Sequence, residues 1–359
     1  LFRRRYTIPP TPTPDQWPTA ALLIPAYNEE DVIGDKLRNA SELDYEPGKL
    51  AILVGSDGST DRTNEIVRSF SDPRIRLIEL PGRSGKSGVY NRLVEETSAE
   101  ILVFSDANVM IDRAALRMAV RHFVDPKVGV VGGGKYIRIP KGAESVGGEA
   151  LYGGYENWLR TRESEAGGMS GALGSLMAVR REIYHPYARG SINDDTVPSL
   201  WATLAGYRNV HEPAAKAFEE SGRTVGEEFH RRIRIGAGNF QTLFRYLKIL
   251  NPRYGIAAYT YFSHKVLRWI FPFLMIVALV TNVLLFNSSL YSTLLFAQSL
   301  FYGVAVMGLF LDQLGLRLPP FSSIYHFTAL NVGLLIGFFV YCRGVTSSAW
   351  EPTSREAAS

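Results

Sequence analysis

The sequence predicts an α/β protein with a doubly wound, mostly parallel sheet flanked by helices, followed by helices that cross a membrane. Three observations predict this class. Short apolar runs alternate with segments of helical periodicity between residues 20 and 104. Several of these runs end in polar loops that contain glycine. Residues 269–342 are largely apolar, although the mean hydropathy of the whole chain is only −0.02.

Composition excludes some classes of function. The chain of 359 residues has room for one large domain and an appendage. Its net charge of +4 is mild and its cationic residues form no single block, so we expect no nucleic-acid partner. A single cysteine, Cys342, excludes an internal disulfide and a cysteine-based zinc site. Leu1 and Phe2 precede three arginines, which we interpret as the end of an upstream membrane helix with its cytoplasmic flank.

The strands and helices follow in order after a linker at 7–18 that carries five prolines. Apolar runs predict buried strands, and a looser alternating run predicts one more. These runs are residues 20–24, 50–54, 74–80 and 101–104. Helical periodicity occurs between them, at 29–40, around 66–70 and at about 87–97. Because ligands bind at the carboxyl ends of strands in such sheets, the loops 25–30, 55–61 and 105–108 are the candidate site.

The third of these loops predicts a metal site. Asp106 and Asn108 are spaced i, i+2, so their side chains point to the same side of an extended chain. Their oxygens can hold a divalent cation, which in turn holds a diphosphate. The alternative is a loop whose Asp and Asn only satisfy turn amides.

A second anion-binding feature precedes the helix at about residue 87. Gly82 and Gly85 flank a turn, and Lys86 stands where free backbone N–H groups and the helix dipole favour phosphate. The pattern lacks the length and the Ser/Thr of a Walker motif. A plain turn with a surface lysine is the alternative.

These motifs, taken together, resemble those of family 2 glycosyltransferases. The matching segments are 25–29, 56–61, Lys86 with Asn91, 105–108, 171–174, 180–181, 193–195, 204–208 and 262–269. The resemblance covers about residues 20–345. Within the family, the chain is similar to polysaccharide synthases such as poly-N-acetylglucosamine, hyaluronan and cellulose synthases. It implies the GT-A fold, a nucleotide-diphosphate sugar donor (a UDP-sugar as the first expectation) and inversion at the anomeric carbon.

The resemblance also implies roles for individual residues. Tyr27 would stack on the nucleobase, and Asp57 would accept a hydrogen bond from it. The implied donor-binding residues are Pro25, Tyr27, Glu29, Asp57, Lys86, Asp106, Ala107, Asn108, Arg231 and Arg234, and the acceptor-binding residues are Gly171 and Ala172. Asp106 and Asn108 would hold Mg²⁺ or Mn²⁺. Many members have Asp in place of Asn108, so this chain has one negative charge fewer at the metal.

The residues Asn193, Asp194 and Asp195 occupy the position of the family's Thr-Glu-Asp motif. The resemblance therefore implies that Asp195 is the general base for the acceptor hydroxyl, with Asp194 beside it. The alternative is that one of the two carboxylates caps the helix that begins near Thr196.

The basic run at 231–235 lies where processive synthases carry Gln-X-X-Arg-Trp. Arg234 matches the arginine that faces the diphosphate, and a guanidinium suits that role. Arg231 and Ile235 replace the Gln and the Trp. The alternative is a patch that binds anionic lipid headgroups.

The C-terminal part predicts membrane attachment. Residues 239–262 resemble an amphipathic interfacial helix broken at Asn251. Three spans follow, at about 269–287, 290–311 and 324–342. Lys265 and Arg268 before the first span, and Arg317 between the second and third, predict that these ends of the spans face the cytoplasm. Arg343, after the third span, weakly favours a cytoplasmic position for that end as well, which conflicts with three spans.

We therefore expect a multi-pass cell-membrane enzyme with a cytoplasmic catalytic domain. The predicted divisions are a linker (1–19), the catalytic domain (20–225), interfacial helices (226–268), three membrane helices (269–345) and a polar tail (346–359). The expected partners are the donor, a lipid-linked or growing glycan acceptor and membrane lipids. Two alternatives stay open: a single addition to a lipid carrier, and a silent subunit that binds a nucleotide sugar without turnover.

Overall fold

The computed structural model describes residues 6–138, 147–220, 225–316 and 318–344. It divides the chain into two compact units. The first holds the described residues up to 222 together with Tyr246–His264, and the second holds those of Arg223–Arg245 and Lys265–Val345. Three predicted features lie outside the described residues: the end of an upstream membrane helix at 1–5, the basic flank at Arg317 and the polar tail at 346–359.

One mixed sheet of eight strands is present in the described part of the first unit. The strands are β1 (Ala20–Ala26), β2 (Leu50–Ser56), β3 (Ile75–Glu79), β4 (Ile101–Phe104), β5 (Met110–Ile111), β6 (Val128–Arg138), β7 (Met177–Arg180) and β8 (Arg208–Glu220). Their order is β3-β2-β1-β4-β7-β6-β8-β5. The first four pair in parallel, as does β6 with β8. Strand β7 is antiparallel to both of its neighbours, and β5 is antiparallel to β8.

The helices of the described chain include counterparts of the predicted segments at 29–40, 66–70 and 87–97, and two between residues 115 and 166 that were not predicted. They are α1 (Glu30–Ser41), α2 (Thr63–Arg68), α3 (Lys86–Glu95), α4 (Ala115–Val120), α5 (Gly147–Ala166), α6 (Val197–Leu204), α7 (Val225–Arg245), α8 (Ile256–Thr260), α9 (Leu267–Leu284), α10 (Ser289–Gln313) and α11 (Phe321–Cys342). A π-helical segment, Tyr261–Val266, joins α8 to α9.

Strands β1, β2 and β4 are apolar on both faces because they separate two cores. Along β1, Leu22 and Ile24 enter one core, whereas Ala21 and Leu23 enter the other. Helix α1 covers the first core through residues such as Ile33, and α3 covers the second through residues such as Val89 and Leu93. A strand buried on both sides needs no polar alternation. The predicted doubly wound α/β class is therefore confirmed.

Strands β5 to β8 were not predicted from the sequence. Strand β6 contains Gly132, Gly133 and Gly134, and glycine is poorly represented in strands. The structure explains the run by close packing. A Cβ added at Gly133 would lie 2.5 Å from the carbonyl oxygen of Ala215, and one at Gly132 would lie 3.0 Å from the Ala172 Cβ.

Three helical segments of the described chain are long and apolar enough to cross a membrane: Ile256–Leu284, Ser289–Gln313 and Phe321–Cys342. Their number agrees with the prediction. The first begins earlier than predicted because α8 and the π-helical segment continue into α9. The predicted interfacial helix is interrupted sooner than at Asn251, since α7 ends at Arg245 and two short 3₁₀ turns follow.

Glycines in the second unit allow close helix packing at some positions and not at others. A Cβ at Gly337 of α11 would lie 2.7 Å from the carbonyl oxygen of Ile233 and 2.8 Å from the backbone N of Ala237. At Gly308 it would lie 2.5 Å from the carbonyl oxygen of Phe321. A Cβ at Gly303 would meet nothing within 4 Å. Gly303 therefore has no role in packing within this structure.

This difference predicts opposite effects of one substitution at two sites. Gly337→Ala should destabilise the protein by about 1–3 kcal/mol, because the methyl group meets backbone atoms that cannot move aside. Gly303→Ala should leave stability unchanged or raise it by up to about 1 kcal/mol, the gain in helix propensity. Thermal unfolding of both variants in detergent measures the difference. Equal shifts in melting temperature would contradict the packing argument.

Candidate functional site

Hydrogen bonds join the loop at 25–30 to the loop at 55–61 and the helix that follows it, at the carboxyl ends of β1 and β2. The side-chain oxygen of Asn28 accepts a hydrogen bond of 2.8 Å from the backbone N–H of Thr60. The backbone N–H of Glu29 donates to the hydroxyl of Thr63 at 2.8 Å. Asn28 has a φ of 50°, a left-handed conformation that asparagine tolerates better than most residues. Pro25, which was also predicted to bind the donor, pairs in register with Gly55.

Asp57 anchors the glycine-containing turn at 82–85. Its side chain is fully buried. One carboxylate oxygen accepts from the backbone N–H of Ser84 at 2.7 Å and from its hydroxyl at 2.8 Å. The other accepts from the N–H of Gly85 at 3.0 Å and lies 3.4 Å from Nε of Arg83. Asp57 therefore has a structural task in addition to the predicted contact with the nucleobase.

Arg83 is a site residue that the sequence analysis missed. Its guanidinium carbon lies 3.2 Å from the ring centroid of Tyr27, in a cation–π contact. One face of the ring predicted to stack on a nucleobase is therefore covered by an arginine. The sequence offered a weak indication, because Arg83 belongs to the same turn as Lys86, where only the lysine was considered.

Lys86 connects residues of the predicted donor-binding and catalytic motifs. It is the first residue of α3, and its Nζ lies 2.7 Å from Oδ1 of Asp106 and 2.9 Å from Oδ2 of Asp194. Burial lowers the pKa of Lys86, but the two carboxylates raise it by more, so the net shift is well upward. The ammonium group therefore stays charged at neutral pH. Three predicted site residues from distant parts of the chain meet at this point.

The two adjacent aspartates have different surroundings. Burial raises the pKa of Asp194, although the ammonium of Lys86 opposes this. Asp195 is half-buried and accepts a hydrogen bond of 3.3 Å from the hydroxyl of Thr196. Thr196 is the N-cap of α6, and its side chain forms no capping hydrogen bond. Because Thr196 is the N-cap residue, neither Asp194 nor Asp195 occupies that position, and the roles of both in catalysis stay predictions.

The loop at 171–175 approaches these carboxylates. A Cβ added at Gly174 would lie 3.3 Å from Cβ of Asp195 and 4.0 Å from Nζ of Lys86. Ala172, predicted with Gly171 to contact the acceptor, is buried, and its N–H donates to the hydroxyl of Ser199 at 3.0 Å. Its methyl group faces β6. The acceptor role of this loop stays a prediction.

Lys36 is a second residue that the sequence analysis missed. It lies on α1, is fully buried, and donates to the hydroxyl of Ser105 at 2.8 Å and to the carbonyl oxygen of Val109 at 2.5 Å. Burial lowers its pKa to about 7, and the nearby Asp106 carboxylate opposes this shift. Its position three residues after Ile33 on the apolar face of α1 was the available indication.

Arg231 and Arg234 lie on α7, in the second unit. Their predicted contacts with a diphosphate stay predictions.

The residues at the end of β4 are compatible with a divalent cation. Oδ1 of Asp106 is buried, and no hydrogen bond of good geometry reaches it, although Lys86 forms an ion pair with it. No three His, Cys, Asp or Glu side chains of the described residues come together as a complete metal site. Mg²⁺ commonly binds through one or two carboxylates and the phosphates of a substrate, so the carboxylate of Asp106 and the amide oxygen of Asn108 are chemically compatible with such a site.

Comparisons with known proteins agree with this architecture. Residues 21–187 match the model of the glycosyl transferase family 2. The chain is 25% identical over 236 residues to a poly-beta-1,6-N-acetyl-D-glucosamine synthase of Staphylococcus aureus, strain MSSA476, covering 64% of this chain and 57% of that one. The enzyme of the same name from Staphylococcus epidermidis is 25% identical over 230 residues, covering 63% of this chain and 55% of that one. The chain thus spans little more than half the length of these relatives.

A solved structure is similar over nearly the whole chain. It is the mannosyltransferase PcManGT from Pyrobaculum calidifontis in complex with GDP-Man and Mn²⁺. The TM-score is 0.68 at 24% identity, and the match covers 92% of this chain and 89% of that one. At this identity the likeness supports the fold alone. The family match shows that residues 21–187 form a glycosyl transferase family 2 domain, and the similar structure supports a GT-A-like fold, so the chain is identified as a glycosyltransferase.

Proposed function

We propose that the chain transfers a sugar from a nucleotide-diphosphate sugar, a UDP-sugar, to a lipid-linked or growing polysaccharide at the cytoplasmic face of the cell membrane. The observation that carries this proposal is the pairing of Lys86 with both Asp106 and Asp194. It brings the predicted diphosphate site next to the predicted base. The similarity to polysaccharide synthases supports a polymer as the product, and the three candidate spans support the membrane location.

The proposed reaction is an in-line displacement with inversion. Asp195 removes the proton from the acceptor hydroxyl, whose oxygen attacks the anomeric carbon as the bond to the nucleotide diphosphate breaks. The N–H groups at the start of α3, the ammonium of Lys86 and the guanidinium of Arg234 stabilise the negative charge of the departing diphosphate. A Mg²⁺ or Mn²⁺ ion held by Asp106 and Asn108 supplies further positive charge there when it is bound.

A single addition to a lipid carrier is the second candidate function. Arg231 and Ile235 stand where processive synthases carry Gln and Trp, so the aromatic platform for a growing glycan is missing at this position. A silent nucleotide-sugar subunit is less well supported, because the carboxylates of Asp106 and Asp195 are both retained.

A turnover assay with product analysis tests the proposal. The purified chain, in lipid nanodiscs, is incubated with UDP-GlcNAc, UDP-glucose or GDP-mannose and with membrane lipid extract. Mass spectrometry then gives the product length, and NMR gives the anomeric configuration. An inverted polymer that depends on a UDP-sugar is expected. One added sugar would favour the second candidate, and an absence of products with every donor would favour the silent subunit.

Arg234 provides a separate test. If Arg234 contacts the diphosphate, Arg234→Lys should lower turnover by about tenfold or more, because lysine lacks the planar fork that binds two phosphate oxygens. Arg232→Lys is the matched control and should be nearly silent if the Arg232 guanidinium group only contacts lipid headgroups, whereas Arg231→Lys tests whether Arg231 binds the donor, as predicted, or behaves like Arg232. Turnover is best measured in detergent, where the surface potential of the bilayer is absent. Equal effects of all three changes would assign the run to the membrane surface.

A further inference from the structure

The loop that carries Asp106 and Asn108 rests on a buried lysine. Nζ of Lys36 donates to the side-chain oxygen of Ser105, just before the loop, and to the carbonyl oxygen of Val109, just after it. Both ends of the loop are therefore fastened to one point on α1. Asn39, one helical turn further on, holds the strand that follows, because its side chain makes two hydrogen bonds of 2.8 Å with the backbone of Ile111.

Burial of Lys36 is unfavourable unless it is compensated. A lysine that is 0% exposed loses the hydration of its ammonium group, and both oxygens that it contacts are neutral. An apolar residue would fill this position in α1 at a lower energetic cost, since Ile33, Leu37 and Ala40 on the same face are all buried. The hydrogen bonds to the loop are what the lysine adds.

Ser105 extends the contacts of Lys36 to the loop at 171–175, which lies beside the predicted base Asp195. The hydroxyl of Ser105 accepts from Lys36 and donates to the carbonyl oxygen of Ser175 at 3.0 Å. Ser175 follows Gly174, the residue that lies close to both Asp195 and Lys86. A continuous path of hydrogen bonds thus joins α1, the loop at 105–109 and the loop at 171–175.

We propose that Lys36 is a positioning residue that holds Asp106 and Asn108 in the geometry needed to bind a metal-bound diphosphate. The proposal rests on the function proposed above. Lys36 touches neither Tyr27 nor Asp57 at hydrogen-bond distance within the described residues, so its loss should spare the binding of the nucleobase. It should weaken only the part of nucleotide binding that depends on the cation.

The test compares nucleotide affinity with and without Mn²⁺. UDP and GDP are titrated into the full chain in detergent by calorimetry, once with Mn²⁺ and once with EDTA. In the wild type, Mn²⁺ should strengthen the binding of one of them. Lys36→Met, which keeps the length of the side chain, should lower this gain by about tenfold, the effect of two lost hydrogen bonds, and leave affinity in EDTA unchanged. Lys36→Gln, which keeps a donor, should restore part of the gain.

Asn39→Ala is the matched structural control. It removes two hydrogen bonds from the same helix but leaves both contacts of Lys36 in place, so it should lower the melting temperature without lowering the gain from Mn²⁺. If Lys36→Met does not fold, Ser105→Ala replaces it, because this change removes one of the two oxygens that Lys36 contacts. An unchanged gain in Lys36→Met, or in Ser105→Ala where that variant replaces it, would overturn the proposal, and so would an equal loss in Asn39→Ala.

Asp106→Ala separates this inference from the proposed function. If Asp106→Ala removes the gain from Mn²⁺ whereas Lys36→Met keeps it, the role of Lys36 is wrong and the metal site stands. If Mn²⁺ strengthens the binding of neither nucleotide to the wild type, or if Asp106→Ala retains the gain, the metal site itself is wrong, and the inference on Lys36 fails with it.

Discussion

Asp195→Asn should lower the rate of sugar transfer by about 10²–10⁴ and leave donor binding intact. The amide keeps the shape of the side chain and an oxygen that can accept from Thr196, as Asp195 does at 3.3 Å. It cannot accept a proton from the acceptor hydroxyl at neutral pH. The initial rate at saturating donor, together with the donor dissociation constant from calorimetry, measures both parts of the expectation.

Asp194→Asn is the control for this assignment. Oδ2 of Asp194 lies 2.9 Å from the Lys86 ammonium, so the change removes one of the two carboxylates paired with that lysine. Donor binding should therefore change more than the rate of the bound complex. A large loss of rate in Asp194→Asn beside a mild one in Asp195→Asn would exchange the two roles.

The parallel half of the fold was predictable because its physics is local. Strands β1, β2 and β4 are buried on both faces, which produces an unbroken apolar run such as Ile101–Phe104. Strands β6 and β8 carry no such run. Their residues instead make close contacts across the sheet, such as Gly133 against the backbone of Ala215, and that contact cannot be inferred from neighbours in sequence.

In the candidate site, too, the residues at the ends of local elements were predictable, whereas contacts between distant segments were not. The positions of Asp57 and Asp106 followed from the ends of predicted strands, and Lys86 from the start of a predicted helix. The ion pair of Lys86 with Asp194 depends on how a late segment returns to the sheet, which no local pattern specifies. Lys36 was overlooked for another reason. A lysine on an apolar helix face is usually taken to extend to solvent, whereas this one is fully buried.

Asp106→Ala should lower transfer by at least about 10³-fold and remove the dependence of donor binding on Mg²⁺ or Mn²⁺, because a bound cation supplies several kcal/mol of charge stabilisation to the leaving group. Asn108 would remain as a neutral ligand, which is too weak to hold a hard cation alone. Excess EDTA should have the same effect on the wild-type protein.

Two isosteric variants separate charge from shape at this site. Asp106→Asn keeps the size of the side chain but removes the only negative charge among the two proposed ligands, so it should resemble Asp106→Ala. Asn108→Asp adds a charge and should lower the concentration of Mn²⁺ needed for half-maximal turnover. Turnover measured against Mn²⁺ concentration for the wild type and both variants gives the three midpoints. Full activity of the wild type in excess EDTA would refute the metal site. In that case Lys86, whose Nζ lies 2.7 Å from Oδ1 of Asp106, would have to hold the diphosphate without a metal ion.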